Sequence, residues 1–356
     1  MKSKKVALSG YFGFDNFGDD AILQVIVENL QAINPKPDIT IFSKNPDKTS
    51  QKYGHKAVYT FDIPTVINTL RHSDILISGG GSLLQDSTSL KSLFYYLFVI
   101  LSAKMLGKKV FVYAQGIGPI KSAVGRFFTK HILKMADTVT VRDEKSKKLL
   151  ENWKINAVLT ADPVWEMSVN SPKKVNNKTI VGIQLRQWPE LDKTKLEQLA
   201  KAVISNFNTD NTEFHLIPLQ DTKDTPVSKE FVEILKEHSE GANCIIHPVG
   251  DVTAVFETLN NLDCLLAMRF HAVLAGIMLN IPTFAMSYDP KVESLAIESD
   301  IPYLSIVHFT DEKLENFVKK LIHNQQELRK QLQIFSEKKR IKSRQTFELL
   351  LKLIMG

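Results

Sequence analysis

The feature that most constrains this chain is an alternation, nearly end to end, of short apolar strand-like runs with longer stretches of helical period. Such a pattern joins each strand to a parallel neighbour through a crossover helix, so it predicts an α/β class built on parallel sheets. In the first half the expected strands are Lys5–Ser9, Asp38–Ser43, Ser73–Ser78, Lys109–Ala114, Thr138–Val141 and Ala157–Thr160. In the second they are Thr179–Leu185, Glu213–Pro218, Cys244–His247, Cys264–Met268, Thr283–Met286 and Tyr303–Ile306. A chain of 356 residues exceeds one ordinary core, and the polar stretch 170–178 carries a proline and neither hydrophobic period. The expected organisation is a Rossmann-like lobe over 1–169, a linker over 170–178, a second Rossmann-like lobe over 179–323, and a basic helical segment over 324–356. For that last segment, crossing back to the first lobe is one reading.

Composition excludes several classes. With 44% hydrophobic and 24% charged residues the chain is neither collagenous, disulfide-scaffolded nor disordered. The longest uncharged apolar stretch, between Lys91 and Lys104, has 12 residues, whereas a membrane-spanning helix needs about 20. The N-terminus runs from lysines straight into a strand, without the apolar core of a signal peptide. Cys244 and Cys264 each sit in an apolar run and read as buried free thiols in a reducing compartment. A cytoplasmic location is therefore expected, with no nucleic-acid partner. From Gln325 to the end, eight Lys and Arg face three Glu, a surplus of five in a net charge of +6. Contact with the anionic inner face of a membrane and a solvated crossing helix are both readings of that surplus.

In open α/β sheets ligands bind at the carboxyl ends of strands, so the loops that follow the strands carry the chemistry. The first, Gly10–Asp20, holds Gly13, Asn16, Asp19 and several aromatics, a composition suited to a sugar. It lacks both the dinucleotide spacing of glycines and a Gly-Lys-Ser/Thr phosphate loop. Gly79-Gly80-Gly81-Ser82 and Gln115-Gly116 follow two further strands and leave backbone N–H groups for a hydroxyl-rich or anionic ligand, with close-packing turns as the plain alternative. Arg142 ends another strand, either facing that wall or pairing with an aspartate. In the second half Arg186 and Arg269-Phe270-His271 stand at strand ends, and Lys291 follows a third. Arginine forks suit carboxylate and phosphate, and histidine adds a proton near neutral pH. Arginines salt-bridged to aspartates, with His271 capping a helix, are the competing structural reading. The histidines show no metal-ligand spacing, so neither metal nor cofactor is expected.

These motifs together resemble the polysaccharide pyruvyl transferase family: Ser9–Gly13 with Asn16 and Gly18-Asp19, Ser78–Asp86, Tyr113–Pro119, Val141-Arg142-Asp143, Asp162-Pro163 and Arg269-Phe270-His271-Ala272. More narrowly they look like the bacterial enzymes that pyruvylate the cell-wall polymer to which S-layer proteins bind. The likeness runs from Val6 to about Leu304 and departs at Asp20, where Glu is expected. It implies a GT-B-like fold, phosphoenolpyruvate as donor substrate, and transfer of pyruvate as a ketal, with release of phosphate. The implied acceptor is a sugar, such as N-acetylmannosamine or another N-acetylhexosamine, on a lipid-linked glycan precursor. Under that reading Arg186, Arg269, His271 and Lys291 bind the donor, with His271 and Arg269 catalytic. Gly13, Asn16, Asp19, Gly80, Gly81, Ser82, Gln115, Gly116 and Arg142 line the acceptor side. A GT-B glycosyltransferase using a nucleotide sugar and a non-catalytic sugar-phosphate binding protein are the alternatives.

Overall fold

The computed structural model describes residues 3–87, 89–169, 171–173 and 177–356. They form two compact units, Met1–Met167 with Lys338–Gly356, and Ser168–Glu337.

The first unit runs β1 (Lys5–Ser9), α1 (Phe17–Gln31), β2 (Asp38–Ser43), α2 (Pro46–Tyr53), β3 (Lys56–Tyr59), α3 (Ile63–His72), β4 (Ile75–Gly79), α4 (Leu90–Met105), β5 (Lys109–Gln115), α5 (Ala123–Leu133), β6 (Thr138–Val141), α6 (Glu144–Asn152) and β7 (Val158–Leu159). Its seven strands are parallel, in the order β3-β2-β1-β4-β5-β6-β7. Val6–Leu8, Ile75–Ile77 and Val110–Tyr113 are fully buried, as continuous apolar strands covered on both faces must be. Helices start where an Asn, Asp or Ser accepts from the first turn: Asn16 for α1, Ser122 for α5 and Asp143 for α6.

The second unit repeats the plan with β8 (Thr179–Gln184), α7 (Lys193–Asn206), β9 (Thr212–Leu216), α8 (Asp221–His238), β10 (Asn243–Ile246), α9 (Val252–Asn260), β11 (Cys264–Ala267), α10 (Phe270–Met278), β12 (Thr283–Ser287), α11 (Pro290–Ser299), β13 (Tyr303–Ser305) and α12 (Asp311–His323). Its six parallel strands lie in the order β10-β9-β8-β11-β12-β13. The last helix, α13 (Gln325–Met355), contributes its start to the second unit and, from Lys338 on, its remainder to the first.

Several expectations need adjustment. β3 has no counterpart in the expected strand set, because Val58 is its one fully buried residue and an edge strand that short has no periodicity to read. Ser73 and Asp74 precede β4, since Ser73 closes α3 and Asp74 accepts from the Lys5 amide. Of the expected linker, 170 and 174–176 lie outside the described residues. Cys264 is buried, which pushes its thiol up to about 12, but Cys244 is only half-buried. The basic residues of α13 are not all turned to solvent: Lys339 is buried, Arg344 pairs with Glu166, and Arg329 donates to the Asp263 and Asn280 carbonyls. Among the described residues no helix is long and apolar enough to cross a membrane.

Candidate functional site

Each sheet reverses its direction of winding at one place. In the first unit β1 stands between β2 and β4, and in the second β8 stands between β9 and β11. Crossovers leave such a pair of strands in opposite directions, so their carboxyl ends open a crevice that no helix fills. The motifs singled out in the sequence fall on these two crevices.

At the first crevice the loops after β1, β4 and β5 are tied together. Gly80, at φ +42°, rests on Ile22, and its amide donates to the Tyr113 carbonyl at 2.9 Å. Gly81, at φ +72°, leaves room for the Asp19 carboxylate, which a Cβ there would meet at 2.7 Å. The Gly116 amide donates to the Gly81 carbonyl at 2.8 Å. Ser82 accepts from Arg142 at 2.9 Å, and Arg142 is in turn ion-paired with the buried Asp162. Arg142 thus follows the aspartate-pairing reading; it braces the wall from behind. Gly13, at φ +76°, sits against Ser43, while Asn16 caps α1 by accepting from the Gly18 amide at 3.1 Å. Gln115 is wholly buried, its amide donating to Ser78 Oγ at 2.9 Å and to the Ser78 carbonyl at 3.0 Å. It clamps β5 to β4, and its Oε1 is buried without a hydrogen-bond partner among the described residues.

Beside these loops is an aromatic platform. Tyr11 and Phe14 stack at 4.0 Å and 7°, Phe61 meets Phe14 and Tyr95 edge-on, and Lys44 lies over Tyr59 and Phe61. Phe12 and Phe17 are buried, whereas Tyr11, Tyr59 and Phe61 are exposed. Burial, and then the Asp19 charge, raise the Tyr11 phenol, so it stays a hydrogen-bond donor. Ring faces and a carboxylate are groups with which proteins hold neutral polyols, whereas the Gly80 and Gly116 amides are spent inside the wall, as the close-packing reading has it.

The second crevice has a different chemistry. Beyond β8 comes Arg186 and beyond β11 comes Arg269, and the two strand ends are cross-tied: the Arg269 amide donates to Gln184 Oε1 at 2.8 Å and the Arg186 amide to Met268 Sδ at 3.2 Å. Arg269 is largely committed. Its Nε and Nη2 fork onto the fully buried Asp224 at 2.7 and 2.6 Å, and Nη2 also reaches Gln220 at 2.8 Å. Asp224 also accepts from Gln184 and from the Leu219 and Gln220 amides. The salt-bridged reading therefore describes two of the three guanidinium nitrogens of Arg269.

Arg186 is held differently. Its guanidinium lies over the rings of Trp188 and Tyr288 at 5.6 and 5.3 Å, and Nη1 donates to the Tyr288 hydroxyl at 3.1 Å. Its Nε is buried without a hydrogen-bond partner among the described residues. The Tyr288 phenol is raised by burial and opposed by the charges of both Arg186 and Arg269, which brings the two arginines to one group. α10 and α11 start at the ends of the adjacent strands β11 and β12, pointing their positive N-termini to this end of the sheet. His271 is half-buried in the first turn of α10, its ring edge-on to Phe270 at 5.1 Å. The capping position belongs to Arg269 and has no side-chain cap. Lys291 is exposed in the first turn of α11. Trp188, Asp224 and Phe61 carried no motif signal in the sequence; they enter the site through contacts that only the fold creates.

Comparison with known proteins gives the fold and the family. A search of curated proteins finds no match. Among solved structures the chain is similar to the UDP-GlcNAc 2-epimerase of Neisseria meningitidis bound to UDP-GlcNAc, with a TM-score of 0.67, 15% identity, and 98% of this chain and 100% of that one covered. It is also similar to Anabaena Alr3699/HepE in complex with UDP and glucose, at 0.63, 10% identity and 99% of each chain. A mutant of the Thermobaculum terrenum O-GlcNAc transferase follows at 0.54, 13% identity, 99% of this chain and 67% of that one. At such identities the likeness is one of fold, GT-B-like with two parallel-sheet lobes. A family model described as polysaccharide pyruvyl transferase matches residues 16–290, from the cap of α1 to the first residue of α11. The chain belongs to the polysaccharide pyruvyl transferase family.

Proposed function

We propose that this transferase moves the pyruvyl group of phosphoenolpyruvate onto two hydroxyls of one sugar in a lipid-linked cell-wall polysaccharide precursor, leaving a cyclic ketal and inorganic phosphate. The acceptor favoured by the motif resemblance is an N-acetylhexosamine such as N-acetylmannosamine, in the polymer that anchors S-layer proteins. One observation carries the donor assignment: the buried, unpartnered Nε of Arg186 between two aromatic faces. A buried N–H donor without an acceptor is costly in a native fold, and a charge-assisted bond to an incoming carboxylate or phosphate removes that cost. The N-termini of α10 and α11 favour the same charge.

In this reading His271 gives a proton to the methylene carbon of phosphoenolpyruvate, which becomes the methyl group. A sugar hydroxyl adds to the neighbouring carbon and its proton leaves. The phosphate C–O bond then breaks, and the second hydroxyl closes the ketal as its proton departs. Of the two hydroxyl protons, one replaces the proton His271 gave and one ends on phosphate. General acid catalysis of this kind contributes typically about 10²–10⁴-fold. Asp19, against Gly81, accepts hydrogen bonds from acceptor hydroxyls, and the Tyr11–Phe14 platform stacks the ring. Arg269 keeps its third nitrogen for the donor and, through Asp224, fixes the position of the strand end.

The test is to incubate the protein with phosphoenolpyruvate and a soluble acceptor glycan and to follow phosphate release together with the acceptor mass. A pyruvate ketal with stoichiometric phosphate is the expected result. The UDP and UDP-sugar in the Neisseria and Anabaena structures favour one second reading, glycosyl transfer from a nucleotide sugar. Release of UDP from such a donor, with no phosphate from phosphoenolpyruvate, would establish it instead. Binding without either release would leave a non-catalytic sugar-phosphate binding protein.

A further inference from the structure

The helix α5 is turned inside out. Its buried face is Gly125, Thr129, Ile132 and Leu133, two of them small, while Val124, Phe127 and Phe128 are 55, 58 and 43% exposed. With Met135, 43% exposed just beyond the helix, these lie on one face at spacings of three, four, seven and eleven residues. The adjoining α4 continues the surface. Phe94 meets Phe128 edge-on at 5.8 Å, and Phe98 and Met105, four and eleven residues on from Phe94, are 38 and 78% exposed. A soluble helix ordinarily turns its large apolar side chains inward, and a continuous exposed group of this size marks an interaction surface.

The charge along this part of the chain is one-sided. From Leu90 to Ala136 the chain has eight Lys and Arg and not one Asp or Glu, a larger surplus than the C-terminal helix carries. Lys91, Lys121, Arg126 and Lys134 are exposed. Arg126 folds back on the Ile120 and Lys121 carbonyls, and Lys104 is spent on Asp137. The acids that flank this stretch in sequence, Asp86 and Asp137, are engaged with the Lys121, Ser122 and Val110 amides. Aromatic and aliphatic side chains ringed by cations are the pattern of a helix lying in the interface of an anionic bilayer, where rings sit at the headgroup level and lysines meet phosphate. A second copy would bring two surfaces of the same charge together, which disfavours self-association.

We propose that the outward faces of α4 and α5 form the docking surface of this protein for an anionic lipid bilayer. This goes beyond the reaction and does not depend on it, since docking requires neither donor nor acceptor. It moves the membrane contact from the C-terminal helix, one of the two readings of its charge in the sequence, to α4 and α5.

Sedimentation with vesicles of phosphatidylcholine and phosphatidylglycerol, in a ratio of about 3:1, tests the proposal against vesicles of phosphatidylcholine alone. The parent protein binds the anionic vesicles and is released as salt rises. Phe127→Ser with Phe128→Ser weakens that binding at least about tenfold, and Lys121→Gln with Lys134→Gln weakens it while flattening its salt dependence. Lys338→Gln with Arg340→Gln and Lys342→Gln, exposed on α13, changes it by less than about twofold. Phe127→Trp, a conservative reporter, shifts its fluorescence to the blue on vesicle addition, which keeps the question open to an answer if the serine variant unfolds. The proposal is overturned if the Phe127→Ser/Phe128→Ser protein stays folded and binds as the parent does, if neutral vesicles bind equally, or if the emission of the Phe127→Trp protein does not move. A parent dimer in sedimentation velocity that the serine variant abolishes would assign the surface to a second copy instead.

Discussion

The two crevices have the same topological origin and opposite chemistry. The first is built from glycines at positive φ, exposed ring faces and the Asp19 carboxylate, and Arg142 there is buried in an ion pair with Asp162. The second has two arginines at strand ends, an aromatic seat for one of them, and the starts of two helices. Crossover reversal supplies a crevice without dictating its ligand; the residues placed on it decide that. Under the proposed function, the first crevice takes the neutral sugar and the second the anionic donor.

The comparison is sharpest at the two arginines of the second crevice, which are not equivalent. Removing Arg269 strands Asp224, a fully buried carboxylate, without its partner. Breaking a buried pair in this way costs about 3–5 kcal/mol, so Arg269→Ala should lower the denaturant midpoint sharply, and loss of donor affinity in that variant would be uninterpretable by itself. Arg186→Ala removes a cation that rests on rings and leaves no buried acid behind. It should change stability by about 1 kcal/mol or less while raising the donor KM at least tenfold, with the acceptor KM unaffected. Equal effects of the two substitutions on stability would show that the structural and the donor-holding arginine had been confused.

Next in size is His271→Gln, which keeps the half-buried volume and removes the transferable proton. Turnover should fall by about 10²-fold with donor affinity preserved, since proton transfer belongs to the transition state. An unchanged kcat in a variant with a native melting curve would remove the histidine from the chemistry.

How much of this the sequence revealed follows from what each residue depends on. The strands of both sheets are legible because continuous apolar runs bounded by turn residues are local, and so are the Gly79–Gly81 and Arg269–His271 groups at strand ends. Arg142 illustrates the boundary: its position at a strand end was visible, but its partner Asp162 is 20 residues away in sequence and becomes a neighbour only through β7. Asp224 was invisible for the same reason; it sits in the first turn of α8, with nothing in its local sequence to set it apart from an ordinary helix-start acid. β3 has one buried residue and so no alternation for a sequence to show, and Phe61, just beyond it, has no local signal either.

Phe61 gives the first crevice its own test. Its ring is 49% exposed and makes edge contacts to three aromatic neighbours, so Phe61→Ala should cost little stability and raise the acceptor KM several-fold while leaving the donor KM alone. A shift in donor KM instead would mean that the platform belongs to the anion and not to the sugar.

The smallest expected difference is in the response of the two units to acid. In the second unit His247 Nε2 and His215 Nδ1 are hydrogen-bonded at 3.0 Å, with Glu213, itself paired with Lys178, at 3.5 Å from His215. Both imidazoles are lowered, chiefly by burial, and His247 further by its neighbour. A histidine lowered in the folded state costs nothing while both states are neutral. Stability is lost as pH falls through the unfolded value near 6.5, where the unfolded chain takes up protons that the folded one refuses. In the first unit His55 is lowered too, but Asp20, in the first turn of α1, is raised by burial and so gains stability as pH drops toward its folded value. The terms oppose one another in the first unit and add in the second. Amide hydrogen exchange between about pH 7 and 5 should therefore show protection falling faster in β9 and β10 than in β1 and β2. His215→Gln with His247→Gln should remove most of that difference, and an unchanged difference in the double variant would place the acid sensitivity elsewhere.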